Sequence, residues 1–599
     1  MPARIVERDI DEAILAEAKQ LGLHPVAERV IAGRASKYGI SPATIIDCGL
    51  KDLDSPATLP DIDVAADRIA KSITSGEVIA LETDHDVDGV TSHAVLYRAL
   101  HDHFGHPKEK IRSYIGHRLM EGYGLSDALC TRILADDMRP SLVITADNGS
   151  SDGPRVTRLK EAGIDTVVTD HHGMPEEGPP CDAVACVSPA RSDSQFPDGL
   201  IAGVMVSFLL MCVVRQRLVQ AGHLPDSAPR LTGLLDYVAL GTVADCVSLV
   251  RSRNNRAVIN AGLQPINAGA RPCWRAIRPE MGDLAKPVRS SDLAFTIGPR
   301  INAVGRLDDA MVGVKFLLSE TDSEARYWAE ELNRANILRR EIEAELKEEA
   351  MIVGEVQAED GRAVLQVCLT DGHAGVHGIV ASRLVEAFGR PAVCFSEKMG
   401  EPGYLTGSAR GVEGMHIRDA MQAVQDLCPD MPMKFGGHEG AGGLTIREEN
   451  FLEFEKAFEE VVAGQLQGRI LEPLLITDGV IETNLINEEM ISALQIMEPY
   501  GREFEAALLV GRFKVVSAKP IGNGTHWKFT LAGVEGGLFD AVWFSAGEQC
   551  PLSKEGFSMI AFNPELNWWN GRAKIQLMIR GAERDTEYES TYYAHQAII

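Results

Sequence analysis
The stretch LETDHDVDG, residues 81–89, places Asp84, Asp86 and Asp88 at alternate positions ahead of an amphipathic segment. Were that run extended, alternation would turn the three carboxylates to one side, where they repel one another unless a cation lies among them. A hard divalent metal is the economical companion for such oxygen donors. Gly89 would permit the tight turn into a following helix. Alone, the run reads equally well as a calcium-type loop or a solvated acidic turn.

Three more stretches end in residue types that bind metals. ITADNGSSD supplies Asp147, VVTDHH supplies Asp170, His171 and His172, and the apolar LLDYVALGTVADCVSL leads to Asp245. Mixed carboxylate and imidazole donors suit Mn²⁺, with Mg²⁺ admissible at the oxygen-rich position. Two ions about 3.5–4 Å apart and sharing one carboxylate would clamp the attacking and leaving oxygens of an in-line displacement at phosphorus. Metal-bound water would be the nucleophile. His172, as an imidazole outside the ligand set, is the candidate to steady charge on the phosphoryl group.

Residues so far apart converge only if the fold brings them together. From Gly76 onward, short β-branched runs (Val78–Glu82, Leu142–Ala146, Thr166–Thr169) alternate with amphipathic segments such as Ser92–Phe104 and Pro154–Ala162. Strands alternating with helices predict a parallel sheet, and ligands of such sheets bind beyond the carboxyl ends of the strands. Near Thr321 a capping box with Glu324 opens a long amphipathic stretch that runs to about Val353 without Gly or Pro. It predicts a helix bridging two domains, with a coiled coil as the alternative. A second mixed region, about Gly361–Ala463, ends rich in glycine. After about Leu471, runs such as FKVVSA, HWKFTL, FDAVWF, SMIAF and AKIQLMI predict a small OB-like barrel. The first 75 or so residues offer no chemistry.

Composition narrows the function. At 599 residues the chain calls for several domains, each expected to bury its own core. With 86 acidic against 59 basic residues the net charge is -27, which excludes diffuse affinity for nucleic acid, so any DNA path must be locally basic. No run of about 18 apolar residues is evident, so no membrane span is expected. The charged N-terminus does not read as a secretory signal, which leaves the cytoplasm as the expected compartment. The 11 cysteines are scattered without a C-x-x-C pair, which favours buried reduced thiols over disulfides or a zinc site.

Asp170-His171-His172, the D-x-D-G at Asp86–Gly89, the DNG at Asp147–Gly149 and GTVAD at Gly241–Asp245 resemble the four motifs of the DHH phosphoesterase superfamily. Within it the chain resembles the RecJ family from about Ile73 onward, through HRLMEGYGLS (117–126), IAGVMVSF (201–208), GPRINAVGRLDD (298–309), HGIVASRL (377–384), GSAR (407–410) and GGH (436–438). The resemblance implies an N-terminal segment (1–72), a DHH catalytic domain (73–318), a connecting helix (319–355), an α/β DHH-associated domain (356–465) and an OB-like domain (470–599). It implies that Asp86 and Asp147, helped by Asp84, hold one metal, while Asp88, Asp147, His171 and Asp245 hold the other. By the same resemblance His172, Asn302 and Arg306 face the scissile phosphate. Arg118, Ser382 and Arg383 lie toward the 5′ end of the strand. Arg410, Gly436, Gly437 and His438 belong to the facing domain, whose small residues admit backbone N–H groups to phosphate.

The implied activity is hydrolysis of single-stranded DNA from 5′ to 3′, releasing 5′-mononucleotides in repair and recombination. Implied partners are a single-strand-binding protein and a helicase, with the enzyme itself a monomer. Departures from the family pattern fall at Glu82, His85, Ser188, Gly372 and Gly442, none of them an expected core ligand. Glu82 stands where small DHH phosphatases carry a histidine, which leaves Glu82 and Asp84 as rivals to complete the first metal site. Of Trp527, Trp543, Trp568 and Trp569, most are expected in the barrel core, with one or two exposed near Lys514, Lys519 and Lys528 as a stacking platform. Two other readings fit parts of the pattern. DHH enzymes acting on very short oligonucleotides, cyclic dinucleotides or pyrophosphate typically end after the glycine-rich domain. Catalytically dead DNA-binding relatives have lost the acidic ligands present here.

Overall fold
The computed structural model describes residues 4–467, 474–586 and 588. The expected boundary at 465–470 and the last stretch of the C-terminal region fall partly outside these residues. After β1 (Arg4–Glu7), strands β2 (Ile79–Thr83), β3 (Ile111–Ile115), β4 (Leu142–Ala146), β5 (Asp165–Thr169) and β6 (Ala185–Val187) form an all-parallel sheet in the order β3-β2-β4-β5-β6. Every residue of β2 and β4 is buried, because helices cover both faces and the strands are apolar without alternation. Leu81, Ile144 and Val167 enter one core, with helices Val87–Arg98, Gly203–Gln220 and Leu235–Ala244. Ala80, Val143 and Val168 enter another, with helices Asp127–Leu134 and Gly153–Glu161. The chain leaves β2 toward β3 and returns to β4 on the other side. The switch point therefore opens a crevice beyond the ends of β2 and β4, where open α/β sheets bind ligands.

Helix Asp322–Glu359 runs 38 residues, its N-cap Thr321 accepting the Glu324 N–H at 3.2 Å. It continues past Gly354, which the sequence reading took as its limit. A Cβ there would come within 3.0 Å of Leu384 and 3.1 Å of Phe388, so this glycine admits helix Ala374–Phe388 rather than ending the helix. The second sheet joins β7 (Leu365–Cys368), β8 (Ala392–Glu397), β9 (Tyr404–Arg410), β10 (Met433–Gly437) and β11 (Ala441–Arg447) in the order β10-β11-β9-β8-β7. Strand β12 (Leu474–Thr477) pairs in parallel with β1. The remaining strands, β13 (Leu509–Ile521), β14 (His526–Gly533), β15 (Leu538–Trp543), β16 (Ser558–Trp569) and β17 (Arg572–Arg584), close a barrel in the order β13-β14-β15-β17-β16. That is a five-stranded OB-like barrel.

The expectation of one core per domain needs correction. A single apolar core runs from Ala27 and Val30 through the β2–β5 sheet to Phe504, Phe513 and Phe529 of the C-terminal region. Buried Arg34 pairs with Asp478 and donates to the Glu505 carbonyl at 2.9 Å, and Arg256 donates to Met497 O at 2.8 Å. The first tie fastens the N-terminal segment to the stretch leading into the barrel, and the second fastens that stretch to helix Arg253–Asn267. Two further expectations shift. Helix Gly203–Gln220 is long and apolar enough to span a membrane, yet most of it is buried beside the sheet. All 11 cysteines are free, but Cys181, Cys246, Cys368 and Cys550 are exposed rather than buried, Cys368 because it ends its strand.

Candidate metal centre
The ladder of the parallel sheet carries each acidic residue one step past its strand. Asp84 N–H donates to Ala146 O (3.3 Å), Asp147 N–H to Thr169 O (3.0 Å) and Asp170 N–H to Val187 O (3.1 Å). The first acidic run is not extended, so alternation does not align its carboxylates. Asp86 caps helix Val87–Arg98, accepting the Asp88 N–H at 2.8 Å and the Gly89 N–H at 3.2 Å, and Asp88 lies inside the helix. The turn therefore splits the run. Asp84 and Asp86 gather with Asp147, Asp88 gathers with His171 and Asp245 at the C-cap of Leu235–Ala244, and a third group of Asp147, His171 and His172 brings His172, expected outside the ligand set, within ligand reach; ligand atoms within each group lie within 4.8 Å of one another. His171 Nε2 joins the groups, 3.2 Å from Asp147, 3.6 Å from Asp245 and 3.7 Å from Asp88.

Close packing sustains this convergence. Asp147 sits at φ 64, strained for a non-glycine residue, and a Cβ on Gly203 would meet its Oδ1 at 2.7 Å. Gly89 does not serve by turning; a Cβ there would stand 2.3 Å from the Asp84 carbonyl oxygen. The first two N–H groups of helix Gly203–Gln220 donate to Asp88, Gly203 at 2.7 Å and Val204 at 2.8 Å, which holds an anion at a helix N-terminus.

Protonation reflects the crowding. Burial, then the carboxylates of Asp88, Asp86, Asp84 and Asp245, push Asp147 well above the usual carboxylate range. Burial and Asp86 raise Asp88 to about 7, and burial with Asp88 and Asp86 raises Asp245. For Asp84, burial is outweighed by the contacts of His85 together with the charge of Arg118, which lower it. Burial and the neighbouring His172 lower His171 to about 4, leaving it neutral as a ligand must be. Burial opposes the charge on His172, yet the 2.8 Å contact of its Nδ1 with Asp170 raises it to about 9. Asp170 also accepts the N–H groups of His171, His172 and Ser150, so it orients the imidazoles rather than joining the ligand groups. Asp84 Oδ1, Asp147 Oδ1 and His171 Nε2 are buried without hydrogen-bond partners. Three orphaned donor atoms among packed carboxylates are what divalent cations would satisfy.

Three family models match the chain: the DHH family N-terminal domain over 78–242, the DHHA1 domain over 361–464 and the RecJ OB domain over 477–581. The single-stranded-DNA-specific exonuclease RecJ of Haemophilus influenzae is 36% identical over 567 residues, covering 93% of this chain and 96% of that one. That of Escherichia coli is 34% identical over 582 residues, covering 96% and 97%. The chain belongs to the RecJ family. The fold is that of RecJ from Thermus thermophilus, solved in complex with Mn²⁺, at TM-score 0.76 and 24% identity over 97% of this chain and 79% of that one. A crystal structure of exonuclease RecJ bound to manganese matches at TM-score 0.56 and 29% identity, covering 69% of this chain and 96% of that one.

Around this RecJ centre the structure gathers some of the expected residues and sets others aside. Asn302 accepts the Val87 N–H at 3.2 Å, bracing the first acidic helix. Arg306 donates to Gly375 O at 2.9 Å, and burial beside Arg118 and Arg410 lowers it to about 10. His438 directly follows the exposed Gly436-Gly437 pair, and burial, then the charges of Arg410 and His172, hold it below the usual imidazole range. Ser382, by contrast, donates to Gly378 O within its own helix. Arg383 is engaged by Glu343 and Glu386 beside a cavity of about 870 Å³ that it shares with Arg300, Arg306, Arg340 and Lys347. Glu82 stays outside the three ligand groups, hydrogen-bonded to Asn148 at 3.3 Å, whereas Asp84 lies within one.

Sequence reasoning missed three residues. The Tyr123 hydroxyl donates to Asp147 O at 3.3 Å and lies 3.5 Å from His172 Nε2. His85 links Arg118 to Asp84. The charge of Arg502 bears on both Asp245 and His438 from a different region of the chain. Tyr123 lay within a family-like segment and could have been picked out there; nothing in the sequence marks Arg502.

Proposed function
We propose that the chain is a two-metal-dependent exonuclease that degrades single-stranded DNA from 5′ to 3′, releasing 5′-mononucleotides. The observation that carries this reading is the meeting of Asp84, Asp86, Asp88, Asp147, His171 and Asp245 in adjoining groups, joined through the Asp147–His171 contact. Asp84, Asp86 and Asp147 would hold one cation, and Asp88, His171, Asp245 and Asp147 the other. When bound, such cations supply Lewis-acid polarisation of the phosphoryl group and a more acidic water. His172, protonated at neutral pH and oriented by Asp170, steadies charge on the phosphoryl oxygens. Arg306, Arg118 and Arg410 concentrate positive charge in the cleft of an otherwise acidic chain, and Asn302 keeps the acidic helix in register. Gly436, Gly437 and His438 offer an open backbone edge to the strand. Arg383 with Ser382 reaches the strand only on release from the carboxylates that now engage it.

The barrel supports strand binding. Trp569 is exposed, while Trp527 and Trp543 pack against the core. Family membership supports a role in repair and recombination, a cytoplasmic setting, a monomeric enzyme, and a single-strand-binding protein and a helicase as partners. Digestion of 5′- and 3′-labelled single strands with and without Mn²⁺ tests the proposal. It predicts metal-dependent release of mononucleotides from the 5′ end first; loss of the 3′ label first, or equal loss in chelator, contradicts it.

A further inference from the structure
His85 stands between two metal-facing aspartates and is almost fully buried. Its Nε2 lies 3.1 Å from Arg118 Nη1. A guanidinium only donates, so Nε2 accepts and the ring carries its proton on Nδ1. That Nδ1 lies 2.9 Å from Asp84 Oδ1. The contact is close but not aligned as a hydrogen bond, which leaves Asp84 Oδ1 free to face Asp86 and Asp147 with an N–H beside it. The ring has little room to leave this position. Tyr123 stands edge-on to it, centroids 6.1 Å apart, and the His85 carbonyl lies 2.2 Å from where a Cβ on Gly305 would be.

We propose that His85 is a positioning residue that sets the Asp84 carboxylate for a cation and couples it to Arg118. With Arg118 on Nε2, the Nδ1 proton is fixed toward Asp84; without it, the ring is free to change tautomer in place and turn a bare Nδ1 toward Asp84. Cation binding at the Asp84–Asp86–Asp147 group and the position of a cleft arginine are thereby linked, and linkage acts equally in both directions. The inference rests on the metal-centre reading above and deepens it.

The test is a Mn²⁺ titration of the metal-free full chain followed by electron paramagnetic resonance, with no DNA present. In H85F the affinity of one class of site is expected to fall about tenfold, the usual effect of removing a group that orients a ligand. R118A is expected to weaken the same class in the His85 background and to have no effect in H85F. H85N, whose amide can still donate toward Asp84 but is too short to reach Arg118, should recover most of the affinity and be insensitive to R118A. Unchanged Mn²⁺ affinity in H85F, or an R118A effect of equal size in the His85 and H85N backgrounds, overturns the coupling while leaving the nuclease reading intact. Absence of Mn²⁺ binding by the unmodified chain overturns the metal centre, and the coupling with it.

Discussion
Where β2, β4 and β5 end, carboxylates crowd together in a buried rim, and several are held above their ordinary protonation range by burial and then by one another. Across the crevice, the second sheet presents Arg410 and the exposed glycines of β10, with His438 directly after them. The first wall crowds carboxylates whose repulsion is eased by retained protons in the metal-free chain and would be eased by cations when these bind. The second exposes backbone N–H groups and positive charge suited to phosphate. On the proposed reading, metal affinity belongs to the rim and strand affinity to the facing wall.

The most severe way to break that division is Asp147→Ala. Removing the carboxylate shared between the groups should cut Mn²⁺-dependent digestion of single strands about a thousandfold or more, measured against a fold checked by circular dichroism. Digestion at an undiminished rate would remove Asp147 from the centre. His172→Gln should lower kcat about a hundredfold while leaving Mn²⁺ binding unchanged; a variant that loses Mn²⁺ instead would make His172 a ligand. On the facing wall, Arg410→Ala should raise KM for single strands about tenfold, with little change in kcat or in the Mn²⁺ titration. Loss of Mn²⁺ affinity in that variant would erase the distinction between the walls. Trp569→Ala should weaken binding of long strands about fivefold and spare short oligonucleotides that do not reach the barrel.

The gentlest test concerns the rim alone. In the metal-free chain, Asp88 near 7, Asp147 and Asp245 raised, and His172 near 9 retain protons that the unfolded chain gives up by about pH 6.5. The folded state therefore binds more protons between about pH 6.5 and 9, so its stability falls as pH rises through that window. The melting temperature in chelator should drop by a few degrees across this range, and saturating Mn²⁺ should reduce or reverse the drop. A chelated protein that gains stability toward pH 9 would show that the rim is not the crowded site described.

Much of the catalytic sheet was legible because strands buried on both faces read as continuous apolar runs, and Asp84, Asp147 and Asp170 each follow such a run directly. The OB-like barrel announced itself through short strands and turn residues. Other features could not be read. Alternation alone put Asp84, Asp86 and Asp88 on one side because it assumes an extended chain; the family resemblance, not the spacing, placed Asp88 with a different metal, and the physical reason is the helix that begins at Val87. Gly354 looked like a helix end because local propensity does not register the close approach of another helix. The single core joining N-terminal segment, sheet and barrel was invisible, since apolar residues do not name their partners.

The sequence alone determined which residue types were available for metal chemistry and that strands would carry them to a common edge, because hydrophobic periodicity and chain direction are local properties. Only the tertiary structure decided the distances at which those residues meet, that Asp170 orients instead of ligating, and that His85 joins Arg118 to Asp84. Distances between side chains remote in sequence, and the burial that shifts their charges, exist only once the chain has packed.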